Sequence, residues 1–165
     1  MNGDAPGAQP TEGESRAVAS LDASGVRYRL TRHGPVRSLE EAAAARRVKP
    51  DQVVKTLVVR RGEDDYLFVL VPGGRQISWP KLRALLDVSR LSMPDAATAF
   101  EVTGYERGTI TPFGAARAWP VVADARVAGR PMSIGAGAHG IAATLDGSQL
   151  VKVLGATVAD VTDPE

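Results

Sequence analysis

"QVVKTLVV", residues 52–59, sets one lysine inside a run of β-branched and branched apolar residues. Such side chains are stiff at χ1 and pack well on a pleated surface, so the run predicts a strand. If it alternates, Val53, Lys55, Leu57 and Val59 share one face and Val54, Thr56 and Val58 the other, and Lys55 has apolar neighbours either way. Two roles are open to its ammonium. It is an edge-strand lysine whose stem lies on the sheet while its head reaches water, or it is a cation at the floor of a cleft, where low dielectric strengthens its pull on a phosphate or ester oxygen. Spacing alone favours the first.

Working outward, residues 66–71 form a second apolar, β-rich run, and the polar "RGEDD" between the two runs predicts a hairpin. Upstream, "GVRYRLTRH" (25–33) alternates Val26, Tyr28 and Leu30 with Arg27 and Arg29, the period of a strand with one wet face. "SLEEAAAARRV" (38–48) places Ser38 and Glu41 at capping-box spacing ahead of an alanine-rich helix that stops before Pro50. Downstream, Ser78 caps a short helix in "SWPKLRALL", and a further helix covers Asp95 to Val102 and stops at Gly104. Strands are expected near 119–123, 131–135 and 140–145. They are followed by a helix capped by Asp146, with Gln149 three residues on and Gly155 at its end, and by "ATVADVT" as one last strand. The sum is a mixed α/β (α+β) domain with a hairpin-connected, partly barrel-like sheet flanked by helices, and no βαβ repeat of a doubly wound fold.

The 165 residues, 44% hydrophobic and 24% charged, suit one soluble domain able to bury a core. "MNGDAPGAQPTEGESR" has almost no large apolar side chain, so residues 1–16 are expected to form a disordered tail and residues 17–165 the folded domain. That opening also lacks the regions of a secretory signal, and no apolar run approaches a membrane span, so a cytoplasmic location without membrane contact is expected. Zero cysteines exclude disulfides, thiol catalysis and thiolate metal sites, and the two histidines, His33 and His139, are far apart, so neither metal nor cofactor is expected. A net charge of +1 argues against coating long nucleic acid but allows a local contact with a phosphate-bearing end.

"GAGAHG" (135–140) matches G-x-G-x-x-G, and Asp160 stands at the spacing of a ribose-binding acid. The context does not fit, because "IAATL" follows as a short apolar run ending at a helix cap, so the stretch predicts a glycine turn between strands whose bare backbone lets a substrate come close. "GYERGTITPFG" (104–114), with three glycines and a proline, is either a long surface connection or a loop presenting N–H groups to a substrate oxygen.

In order, "PDQVVKTLVV", "GGRQISWPKLRALL", "TGYERGTITPFG" and "GAGAHGIAATLDGSQLVKVLGATVADVT" resemble the YbaK/ProRS-associated domain family, which includes free-standing deacylases that edit mischarged prolyl-tRNA. The likeness covers about residues 20 to 163. It implies that Lys55 is the essential lysine and Thr56 its polar neighbour. It also implies that Gly108 and Pro112 bound a G-x-x-x-P loop whose backbone, through Thr109, Ile110 and Thr111, holds the aminoacyl end. Tyr28 would wall the pocket, with Gly135, Gly137 and His139 close by. Where cysteine-editing members carry a basic residue before Gly140 and an acid two after it, this chain has His139 and Ala142, so cysteine specificity does not carry over.

The implied activity is metal-independent hydrolysis of an aminoacyl-tRNA ester, serving translation fidelity, with the acceptor end as partner and a synthetase as a further one. An already activated ester needs positioning and charge stabilisation more than a strong nucleophile, which suits a chain without a nucleophile elbow. Lys55 is either a protonated anchor or a base depressed by burial. Arg27, Arg29, Arg32 and Arg37 are candidates for the acceptor stem, weighed against a solvated face. The rival classes are a non-catalytic module holding an aminoacyl or nucleotide end, and a small-molecule esterase or structural domain of the same fold.

Overall fold

The computed structural model describes residues 9–165. Its first element, α1 (Glu12–Ser24), begins where Thr11 Oγ1 accepts the Glu14 N–H at 3.1 Å. The tail expected through residue 16 is therefore corrected: residues 12–16 are helical, while residues 1–8 lie outside the described residues. Local composition missed this because the stabilising partners are distant. Buried Glu14 receives the fork of Arg32, and Arg16 donates to the carbonyls of Gly104 at 2.7 Å and Gly114 at 3.2 Å while lying over the Tyr105 ring.

The chain continues through β1 (Arg29–Arg32), α2 (Leu39–Arg46), β2 (Val53–Gly62), β3 (Asp65–Pro72), β4 (Arg75–Ile77), α3 (Trp79–Leu86) and α4 (Ala96–Thr103). It ends with β5 (Val121–Asp124), β6 (Pro131–Gly135), β7 (Ile141–Asp146), α5 (Gly147–Val153), β8 (Thr157–Ala159) and β9 (Thr162–Pro164). Ser38, Ser78 and Asp146 cap their helices as their spacing predicted, and Asp95, expected as the first helical residue of α4, is instead its N-cap. At α2 the box closes differently, since the Glu41 carboxylate accepts from the Arg37 N–H at 3.1 Å. The turn from β2 to β3 puts Asp64 at φ +50°.

Seven strands form one mixed sheet in the order β1-β7-β6-β2-β3-β5-β8. β2/β3 and β6/β7 are antiparallel hairpins, and β2/β6, β3/β5 and β5/β8 are parallel. "ATVADVT" is not one strand. β8 pairs with β5, whereas β9 crosses to pair with β4 in a second, two-stranded sheet. Asp124 causes the break: fully buried, its carboxylate accepts from the Val161 N–H at 3.1 Å and the Thr162 hydroxyl at 2.8 Å, which turns the chain off the main sheet.

Both faces of the sheet are covered, so β3 is an unbroken apolar run. Val54, Val58, Phe68, Leu70, Met132 and Ile134 pack with Leu21 of α1 and Leu150 of α5. Val59, Leu67, Val69 and Val71 pack on the opposite side with Leu82 of α3 and Val161. Each such side chain contributes about 1.5–3 kcal/mol on leaving water, against about 0–1 kcal/mol for an exposed ion pair, so the central hairpin rather than surface charge holds the fold.

Candidate functional site

Gly73 N–H donates to Val53 O at 2.7 Å, which fixes the hydrogen-bonded rungs between β2 and β3 at the odd-numbered residues of β2. The even-numbered residues therefore turn their N–H and C=O groups to the other edge. There Val54 meets β6, and Arg60 exchanges bonds of 2.7 and 3.1 Å with Ser92. β6 leaves β2 after Ile134, so the backbone polar groups of Thr56 and Val58 lie on an open stretch of edge between these two anchors. Unpaired backbone groups beside an apolar wall invite a polar ligand.

A cleft of about 590 Å³ lies along this edge, within the usual size of a small-ligand site. Val53, Val54, Leu57, Val58, Met93, Pro94, Ala99 and Ile110 supply apolar wall; Arg46, Lys55 and Arg107 supply positive charge, and no carboxylate lines it. Lys55 Nζ donates to Arg75 O at 3.1 Å and to Glu165 Oε2 at 3.3 Å, and its side chain is 40% exposed. Such an ammonium has both solvent and a counter-charge beside it. Arg46 donates from Nη1 to Ser133 O at 3.2 Å, its Nε is buried without a partner, and burial pulls its pKa below the usual arginine value. Thr56 Oγ1 is likewise buried without a partner.

The residues singled out from sequence separate into two groups. Lys55, Thr56, Gly108, Ile110 and Gly135 line the cleft. Thr109, Gly137 and His139 instead line a second hollow of about 430 Å³, with Thr11, Arg16 and Tyr105, beyond the 104–114 loop. The 104–114 loop stands between the two hollows, and on it Gly108 sits at φ +89°, where a Cβ would lie 3.1 Å from His139 Cε1. His139 thus supports the loop from behind. Thr109 N–H is taken by Glu106 O at 2.9 Å, and Thr111 is buried with its hydroxyl accepting from Phe113 N–H. Pro112 has no N–H and its carbonyl accepts from Ala115, so between Gly108 and Pro112 it is Gly108 and Ile110 that line the cleft, beside Arg107.

Tyr28 does not line the cleft. Its hydroxyl donates to Asp22 Oδ1 at 2.6 Å, and that carboxylate pushes the phenol up to about 12. The glycine turn also behaves differently from expectation. A Cβ on Gly137 would fall 2.3 Å from Gly13 O, so the close approach there is made by α1; only Gly135, with nothing within 4 Å of its missing Cβ, opens to the cleft. Arg46 and Arg107 were not found from sequence; Arg107 is the neighbour of Gly108, while nothing local distinguishes Arg46. Among the described residues, no three His, Asp or Glu side chains converge in a metal-binding group, and no helix is long and apolar enough to cross a membrane.

A family model described as an aminoacyl-tRNA editing domain matches residues 33–153. The chain is 36% identical over 80 residues to a proline–tRNA ligase of Thermosipho africanus and 37% identical over 83 residues to that of Thermosipho melanesiensis. These matches take in 48% and 50% of this chain but 14% of each ligase, so the chain spans a small part of their length. A solved structure of a hypothetical protein superposes with a TM-score of 0.81 at 26% identity, covering 90% of this chain and 99% of the other. The structure of a candidate trans-editing enzyme for prolyl tRNA synthetase superposes at 0.83 and 23% identity, covering 94% and 99%, and shares the fold.

Proposed function

We propose that this chain, which belongs to the aminoacyl-tRNA editing domain family, hydrolyses in trans the ester of a mischarged aminoacyl-tRNA, with proline tRNA carrying a small non-cognate amino acid as its substrate. The observation that carries this reading is the cleft on the open edge of β2, where cations and unpaired backbone groups meet an apolar wall. The ammonium of Lys55 anchors the terminal phosphate or the ester carbonyl as a charge rather than acting as a base. The carbonyls of Thr56 and Val58 accept from the substrate's α-ammonium, and the amides of Gly108 and Ile110 stabilise the oxyanion.

Water adds to the ester carbonyl, and the bond to the ribose oxygen breaks. The proton lost by water passes to that oxygen, leaving a free amino acid and a tRNA hydroxyl. No metal or cofactor enters this scheme. The apolar wall selects by size, where one methylene is worth about 1–3 kcal/mol.

The test is deacylation of proline tRNA charged separately with alanine, serine, cysteine and proline, by wild type, Lys55→Ala and Lys55→Arg. Hydrolysis of a mischarged species, lost in Lys55→Ala and kept in part by Lys55→Arg, is the expected result. Saturable binding with no turnover of any of the four identifies a non-catalytic module instead.

A further inference from the structure

The arginines highlighted early in the sequence are already engaged in part: Arg29 donates to Arg46 O at 2.8 Å and Arg32 holds Glu14. Others are committed as well, Arg75 to Thr162, Arg126 to Asp124 and Asp160, and Arg130 to Asp51. A different group stands apart. Arg60, Arg61, Arg83 and Arg90 line a hollow of about 460 Å³ with Ser89, Leu91 and Ser92, and no carboxylate lines it. Arg61 is paired with Asp65 at 3.0 Å, whereas among the described residues Arg60, Arg83 and Arg90 have no ion-pair partner.

Three unneutralised guanidiniums around one concavity repel one another, an arrangement that a polyanion relieves. This hollow adjoins the cleft. Residues 89–92 wall the hollow and the next two, Met93 and Pro94, wall the cleft, and the Arg60–Ser92 backbone bonds pin that segment across the edge of β2. From Lys55 to Arg60 is five strand residues, about 17 Å. We infer that Arg60, Arg83 and Arg90 form the track along which the phosphate backbone of an RNA runs out from the cleft, so that the substrate's acceptor arm lies over the 89–94 segment. The inference takes its RNA from the deacylase proposal and adds the path.

The experiment measures binding of fluorescent deacylated proline tRNA across a salt series, together with hydrolysis of mischarged tRNA and of the corresponding aminoacyl-adenosine. Arg83→Gln/Arg90→Gln is expected to bind tRNA about tenfold more weakly and to lower the slope of log affinity against log salt by about 2, roughly one per arginine. Its KM should rise for charged tRNA with kcat unchanged, and aminoacyl-adenosine should be hydrolysed as by wild type. Arg83→Lys/Arg90→Lys, which keeps the charge, should restore most of the slope and guards against a misfolded variant. Wild-type tRNA affinity and slope in Arg83→Gln/Arg90→Gln overturns the track, even if the enzyme deacylates. Loss of slope in a protein that hydrolyses none of the esters upholds the track and refutes the deacylase.

Discussion

Thr56→Val separates what the cleft costs the fold from what it gives the substrate. Thr56 Oγ1 is buried with no partner, and valine nearly reproduces the shape of threonine without the hydroxyl. An unsatisfied buried hydroxyl costs about 1–3 kcal/mol, so the variant is expected to be at least about 1 kcal/mol more stable, raising the melting temperature by roughly 2–4 °C per kcal/mol in a chain of this length. If the hydroxyl bonds a substrate group, kcat/KM falls by the value of that bond, about 0.5–1.5 kcal/mol or roughly 2–10-fold. Thr144→Val is the control. Its Oγ1 is also buried and unpartnered, yet Thr144 does not line the cleft, so stability should rise with activity unchanged. Melting curves and deacylation rates on the three proteins decide the matter. A lower melting temperature in Thr56→Val would refute the energetic argument, and unchanged kcat/KM with raised stability would remove Thr56 from the substrate's contacts.

Gly135, at the end of β6, and Gly137, in the turn to β7, should respond oppositely to alanine. Gly137→Ala forces a Cβ to 2.3 Å from Gly13 O at φ +88°, and the sum of left-handed strain and overpacking, about 2–5 kcal/mol, should appear as a large fall in denaturant midpoint. Gly135→Ala meets nothing within 4 Å, so it should melt near wild type and show its effect in KM; equal melting of the two variants would contradict this. At alkaline pH, Tyr28 makes a third case. Its folded pKa, raised from 10.0 to about 12 by the hydrogen bond to Asp22, means its contribution is whole below about pH 10 and is lost as pH climbs through 12. The stability gap between wild type and Tyr28→Phe should therefore close over that interval, and a gap constant with pH would show that the phenol does not titrate late.

Much of the framework was legible because it depends on neighbours within a few residues. The β2–β3 hairpin follows from two apolar runs around a polar turn, and three of the helices from Ser38, Ser78 and Asp146 at their caps. Membership of the editing-domain family was legible in the same short stretches. Misjudged segments depend on remote partners. α1 starts five residues before the expected boundary of the folded part because Arg32, Gly104 and Gly114 receive Glu14 and Arg16, and the last strand divides because Asp124 captures Val161 and Thr162.

The lysine in "QVVKTLVV" shows where the division falls. Sequence by itself determined that a cation stands on an apolar strand, since alternation is a property of consecutive residues. Only the tertiary structure decided what that strand edge faces. β6 diverges after Ile134 and Ser92 closes on Arg60, leaving Thr56 and Val58 open between them; the 104–114 loop then sends Gly108 and Ile110 to the cleft and Thr109 to the opposite side. Which side of a loop or edge a residue occupies is set by contacts between segments tens of residues apart, and no periodicity in the chain encodes it.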